Sequence, residues 1–183
     1  NQQSQKVLAI GDDAYDMVGK TPVNIIAIRP LKDGVISDYQ TTEAMLRHFI
    51  KLSDIPMYQK VRLVVGVPYG ITSVERRAVI DAATMAGAKQ CFLIEEPMAA
   101  AIGSGYDVFE PNGQLIVDIG GGTTEVAVIS LGGIVVSESI RIAGDEIDTA
   151  IISHCRKNYN LLIGERLAER IKCYMGSVLP FKE

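Results

Sequence analysis

The sequence of 183 residues has no tryptophan, and aromatic residues make up only 6% of it. Its core must therefore rest on Val, Ile, Leu, Ala and Met. Cysteine is scarce: Cys91, Cys155 and Cys173 are odd in number and have no CxxC spacing. That argues against a disulfide framework or structural zinc, and for reduced, buried thiols in a cytosolic protein. No run of about 18 uncharged apolar residues occurs, so none reads as a membrane-spanning helix. The polar start, Asn1 to Lys6, has no signal-peptide apolar core. It also lacks an initiator methionine, so the chain is expected to begin inside a longer protein. A basic excess is missing too: 18 Lys+Arg against 22 Asp+Glu leave a net charge of −4. Nucleic-acid binding through overall charge is thereby argued against.

What is present is the composition of a packed domain, 48% hydrophobic and 22% charged. The apolar run Val61–Val67, ending at Pro68, reads as a buried strand. Thr72 with Glu75 three residues on is a capping-box signal. Behind it Val74, Ala78, Val79, Ala82, Ala83 and Ala86 line one helical face, with Gly87 at the exit. Cys91–Ile94 is a second short strand, and Pro97 suits the start of the helix that follows. Strand–helix–strand–helix order favours a parallel sheet with right-handed crossovers. Upstream, Val7–Ile10 and Asn24–Ile28 read as strands around a short helix at Ala14–Val18. Thr42–Leu52 reads as an amphipathic helix with Met45, Leu46, Phe49 and Ile50 on its apolar side.

A turn at Glu110–Gly113 places a boundary near residue 112. Beyond it Leu115–Ile119, Thr124–Ser130 and Ile134–Ile140 form an antiparallel meander, joined by glycine turns at 120–122 and 132–133. Helices are expected at about 145–158 and 165–175.

Three segments carry chemistry. In Leu115 to Glu125 an apolar strand delivers Asp118 to its end, and Gly120, Gly121 and Gly122 turn the chain back. Such a turn can offer several backbone N–H groups to one anion. Thr123 and Thr124 add hydroxyls, and Asp118 suits a hydrated Mg²⁺. The plainer alternative is a glycine-rich hairpin with an acidic strand end. No Gly-Lys-Ser/Thr follows, so this is not a P-loop, and no helix follows as a Rossmann fingerprint requires.

The second segment is Glu95-Glu96-Pro97, two carboxylates where a strand meets a helix at the carboxyl edge of the sheet. One of them could orient a water toward a phosphate. Stabilisation by the helix dipole is the simpler account. In the third segment Glu165, Glu169 and Lys172 share one face of the last helix. That spacing alone suits a solvated stripe. His48 and His154, 106 residues apart, show no partner pattern, and the six scattered Met residues read as gap-filling core.

Taken together, these segments resemble the MreB family of bacterial actin-like cell-shape proteins. The likeness runs through Ala27–Ile36, Val74–Ala78, Phe92–Gly103, Asp118–Ser130, Arg141–Asp148 and Ile163–Lys172. The glycine hairpin alone would also suit sugar kinases or heat-shock chaperone ATPases. The Ile94–Gly103 stretch, combined with Glu169-Arg170-Ile171-Lys172, is far more specific to the MreB family.

The resemblance implies an α/β, actin-like (ribonuclease H-like) ATPase fold with two lobes, both incomplete here. Residues 1–112 would belong to the first lobe, small subdomain elements followed by part of a parallel sheet. Residues 113–183 would begin the second lobe, the meander with its phosphate hairpin and then helices. Its cofactors would be ATP/ADP and Mg²⁺. Gly120, Gly121, Gly122 and Thr123 would hold phosphate, with Asp118 near the metal. Glu96 would orient the hydrolytic water, assisted by Thr123, and Glu165, Glu169 and Lys172 would contact adenosine. The last point reverses the solvated-stripe reading of that helix.

As partners the resemblance implies further copies in protofilaments, the inner membrane surface through Ile55, Met57 and Tyr58, cell-wall synthesis machinery and membrane adaptor proteins. The location would be cytoplasmic and membrane-associated. The family's opening Asp-Leu-Gly-Thr phosphate loop does not occur, so the chain is expected to cover roughly the middle half of a family member. A phosphotransferase of the same superfamily and a non-catalytic interaction fragment are the alternatives.

Overall fold

The computed structural model describes Ser4, residues 6–55 and residues 60–179. In chain order the elements begin with α1 (Asp12–Tyr15), β1 (Leu31–Lys32), β2 (Val35–Ile36), α2 (Tyr39–Leu52), β3 (Arg62–Val67) and α3 (Ser73–Met85). They continue with β4 (Gln90–Glu95), α4 (Glu96–Gly103), β5 (Gln114–Ile119), β6 (Thr124–Ser130), β7 (Gly133–Ile140), α5 (Gly144–Tyr159) and α6 (Glu165–Met175). The expected α/β class holds, with three separate small sheets among the described residues.

β3 and β4 pair in parallel with Arg62 opposite Gln90 and Val67 opposite Glu95, bringing both carboxyl ends to one edge. The crossover between them is α3. Its start is fixed by the expected capping box: the Thr72 hydroxyl accepts the Glu75 amide at 3.2 Å, and Glu75 accepts the Thr72 amide at 2.7 Å. Ala82, Ala83 and Ala86 are buried as expected, whereas Val74 is 77% exposed. In the first turn of the helix, Val74 points away from the sheet that the later turns cover.

β5, β6 and β7 form the expected antiparallel meander. The second turn falls one residue earlier than the two glycines suggest. Leu131 and Gly132 both take positive φ, at 51° and 76°, as a two-residue type I′ hairpin requires, and Gly133 opens β7. A Cβ on Gly132 would lie 2.9 Å from the Phe109 ring, so this position also needs glycine for space. A small core of Ala101, Val108, Ile116 and Ile129 fastens α4 to the meander.

The largest departure from expectation lies before residue 30. Val7–Ile10 and Asn24–Ile28 form no strand, and the short helix is Asp12–Tyr15, not 14–18. A short apolar run forms a strand only where a neighbour completes the hydrogen-bond ladder, and no described segment pairs with either stretch. Val7, Leu8, Ile26 and Ile28 remain about half exposed, along a cleft of about 350 Å³ between the two stretches. α2 begins at Tyr39, three residues early, because the Asp38 side chain caps it by accepting the Thr41 amide at 2.7 Å. Phe49, expected on its buried side, is 45% exposed.

Other core assignments also change. Met17, Met85 and Met175 are exposed, so methionine is not uniformly gap-filling core. All three cysteines are free, but Cys173 is exposed and the other two are only half-buried. Among the described residues no helix is long and apolar enough to cross a membrane. Ile55 is exposed, while Met57 and Tyr58 lie outside the described residues.

Candidate functional site

The glycine hairpin between β5 and β6 is closed by Gly120 N–H donating to Thr123 O at 2.9 Å. The amides of Gly121, Gly122 and Thr123 have no hydrogen-bond partner among the described residues. Three adjacent donors left open in a turn are what an anion requires. None of these glycines has positive φ, so space dictates the residue here. A Cβ on Gly122 would stand 2.9 Å from the Asp33 Cα, in the turn between β1 and β2. The start of α5 locks the other side: Gly144 and Asp145 amides donate to Gly120 and Gly121 carbonyls at 3.1 and 2.8 Å.

Carboxylates gather beside this hairpin. Asp118 is paired across the ladder with Glu125, which is only 1% exposed. Glu125 Oε1 accepts the Tyr69 amide at 2.9 Å, and its Oε2 is buried without a partner. Glu96 opens α4, where the parallel strands end, and a Cβ on Gly66 would meet its side chain at 3.5 Å. Burial, then the charges of Glu125 and Asp118, push the Glu96 carboxyl above its ordinary range. A carboxylate raised in this way is a better proton acceptor near neutrality than an exposed one. The helix-dipole account of Glu96 is therefore incomplete, because the dipole alone would lower its pKa.

On α6 the three polar side chains all find partners on other segments, Lys172 half-buried and Glu165 still exposed. Lys172 Nζ donates to Gly144 O at 3.1 Å and pairs with Asp148 Oδ2 at 2.9 Å, tying α6 to the α5 start and so to the hairpin. Glu169 accepts a hydrogen bond from the Tyr15 hydroxyl. Glu165 lies 3.9 Å from Arg29, which also reaches Asp145 at 3.3 Å. The fold thus places Asp118, Gly120–Gly122, Thr123 and Glu96 at one end and Lys172, Glu169 and Glu165 at the other, linked through residues 144–148.

The MreB/Mbl protein family model matches residues 1–183. The chain belongs to the MreB/Mbl family. Among curated MreB/Mbl proteins it is 58% identical over 181 residues to the cell shape-determining protein MreB of Escherichia coli K12. It is 53% identical over 181 residues to the cell shape-determining protein Mbl of Bacillus subtilis 168. Each alignment takes in 98% of this chain and 52% or 54% of the relative, so the chain spans about half the length of these MreB/Mbl proteins. Among solved structures, MreB5 of Spiroplasma citri bound to AMPPNP superposes with a TM-score of 0.92 at 38% identity. That superposition covers 100% of this chain and 55% of the other. The expected actin-like fold stands.

Several residues at the site were not singled out from sequence. Glu125 had a readable signal, because it shares a strand face with Ala127 and Ile129, where a charge is out of place. Asp33, Asp145 and Asp148 had none, since their partners are remote in sequence. Among the described residues no group of three or more His, Cys, Asp or Glu side chains is arranged to hold a metal. A single carboxylate still fits Mg²⁺, which keeps most of its waters and takes phosphate oxygens.

Proposed function

We propose that this chain carries the phosphate and nucleoside ends of an ATP/ADP site in a filament-forming, ATP-hydrolysing cell-shape protein. The observation that carries the reading is the hairpin of Gly121, Gly122 and Thr123, whose amides are open and which follows Asp118, a carboxylate whose charge reaches the raised carboxyl of Glu96. The AMPPNP-bound relative supports it, as does a second structure of MreB5 bound to ADP.

In this reading the hairpin amides and the Thr123 hydroxyl hold phosphate oxygens, and Asp118 holds a hydrated Mg²⁺, which neutralises phosphate charge. Glu96, half-buried and raised in pKa, orients the attacking water and accepts its proton, with Thr123 assisting. Lys172 and Glu169, with Glu165, face the nucleoside. Residues 1–112 and 113–183 are the parts of two lobes on either side of that nucleotide. Self-assembly into protofilaments, cytoplasmic action at the inner membrane surface through the loop at Ile55, Met57 and Tyr58, and work with membrane adaptors and the cell-wall machinery complete the proposal.

The test uses the full-length gene product. Asp118→Ala should weaken Mg²⁺-ATP binding by roughly tenfold or more and abolish nucleotide-dependent sedimentation. Glu96→Gln should keep binding while losing hydrolysis by roughly a hundredfold. Unchanged ATP binding and assembly in Asp118→Ala would sink the assignment.

A further inference from the structure

The segment around α1 crosses to α6, about 150 residues away in sequence, and occupies the polar side chains there one after another. Tyr15 donates its hydroxyl to Glu169 Oε2. Asp16 takes Arg166 twice, through its carboxylate at 2.6 Å and its carbonyl at 3.2 Å. The same guanidinium stands over the Tyr15 ring, 5.1 Å from its centroid. Arg29 adds its contacts to Glu165 and Asp145. Every partner is at least a third exposed or nearly so, and exposed pairs are individually weak. Several acting through one short segment still give a defined closed arrangement.

We propose that this clasp is an internal competitor for the nucleoside: the Tyr15 hydroxyl holds the carboxylate oxygen that a ribose hydroxyl of the ligand would take, so nucleotide enters only when the clasp releases. The inference rests on the nucleotide reading of Glu169. Its physical content is donor identity. A phenol O–H and a sugar O–H make the same kind of charge-assisted bond to a carboxylate, and while the Tyr15 hydroxyl holds Oε2 its ring fills the space on that side of Glu169, where a sugar would have to approach. The hydrogen bond to Glu169 also raises the Tyr15 pKa, so the phenol stays a donor at neutral pH. A site open for only part of the time loses apparent affinity by that fraction, and the loss appears in association.

The decisive measurement is stopped-flow binding of a fluorescent ADP analogue to the full-length gene product, with calorimetry on ADP itself. Tyr15→Phe should bind roughly fivefold tighter, entirely through faster association with dissociation unchanged. Asp16→Asn, which frees Arg166 without touching Glu169, should move the same way by a smaller factor. Unchanged or weaker binding in Tyr15→Phe, or faster dissociation, would overturn the competitor role. Glu169→Gln separates the two claims. If it loses affinity while Tyr15→Phe changes nothing, the nucleotide site stands and the clasp falls. If neither it nor the wild type binds ADP, both fall.

Discussion

The two ends of the candidate site are built from different materials. The end proposed for phosphate is backbone: a hairpin closed by its own hydrogen bond and held by two α5 amides, with Thr123 and Glu125 buried. The end proposed for the nucleoside is side chain: α6 is held by one part-buried pair, Lys172–Asp148, and by exposed contacts to Tyr15, Asp16 and Arg29. Backbone hydrogen bonds hold a fixed geometry, which suits a ligand of constant shape. Exposed ion pairs are cheap to break, which suits the end that must open.

The largest effect is expected where the two ends join. Lys172 is the link, and Asp148 Oδ1 is already buried without a partner. Lys172→Met removes the cation from Asp148 and leaves both carboxylate oxygens unsatisfied. Breaking a buried pair from one side costs about 3–5 kcal/mol, and the lower figure applies because Lys172 keeps some exposure. Urea denaturation should show that loss, and Lys172→Met with Asp148→Leu should recover much of it. Full stability in the single variant would mean that α6 is held by its exposed contacts after all.

The second effect tests the backbone end alone. Gly122→Ala puts a Cβ 2.9 Å from the Asp33 backbone, which cannot yield as a flexible side chain would. A cost of about 1–3 kcal/mol is expected, as for other forced contacts. Gly121→Ala is the internal control, because its Cβ would meet only the Asp145 carboxylate at 3.8 Å or more. Thermal melts should separate the two variants clearly. If they melt together, the Asp33 contact does not explain why position 122 is glycine.

The same division explains what was legible before any coordinates. α3, β3, β4, the hairpin and α6 announce themselves through local signals: a capping box, short apolar runs, three glycines, an amphipathic stretch. Each depends on residues within a few positions of one another. The stretches 7–10 and 24–28 were misread because a short apolar run does not specify a neighbour, and a strand without a ladder is only extended chain. The Lys172–Asp148 and Tyr15–Glu169 contacts join positions 24 and 154 residues apart, and no local pattern encodes either. Spacing along α6 therefore suggested a solvated face, where the fold supplies partners from two other segments.

A smaller effect, placed away from both ends, calibrates the others. Asp38 caps α2, and its carboxylate is held below its ordinary range by the Thr41 amide. Asp38→Ala should cost about 1 kcal/mol near pH 7 while leaving nucleotide affinity unchanged, since α2 touches neither end of the site. The pH dependence follows from the direction of the shift. A carboxyl lowered on folding stabilises the protein fully above its unfolded value of about 3.9, and that contribution is lost as pH falls through the folded value. The gap between wild type and Asp38→Ala should therefore narrow in acid below about pH 4. Asp38→Asn retains a good cap without a titrating group, so its stability relative to Asp38→Ala should stay nearly constant across the same range. A gap between wild type and Asp38→Ala that persists undiminished into acid would show that the side chain's packing, and not its charge-assisted bond to Thr41, starts the helix. A loss of nucleotide affinity in Asp38→Ala would show that modest destabilisation anywhere reaches the site, and the contrast between its two ends would have to be measured against that background.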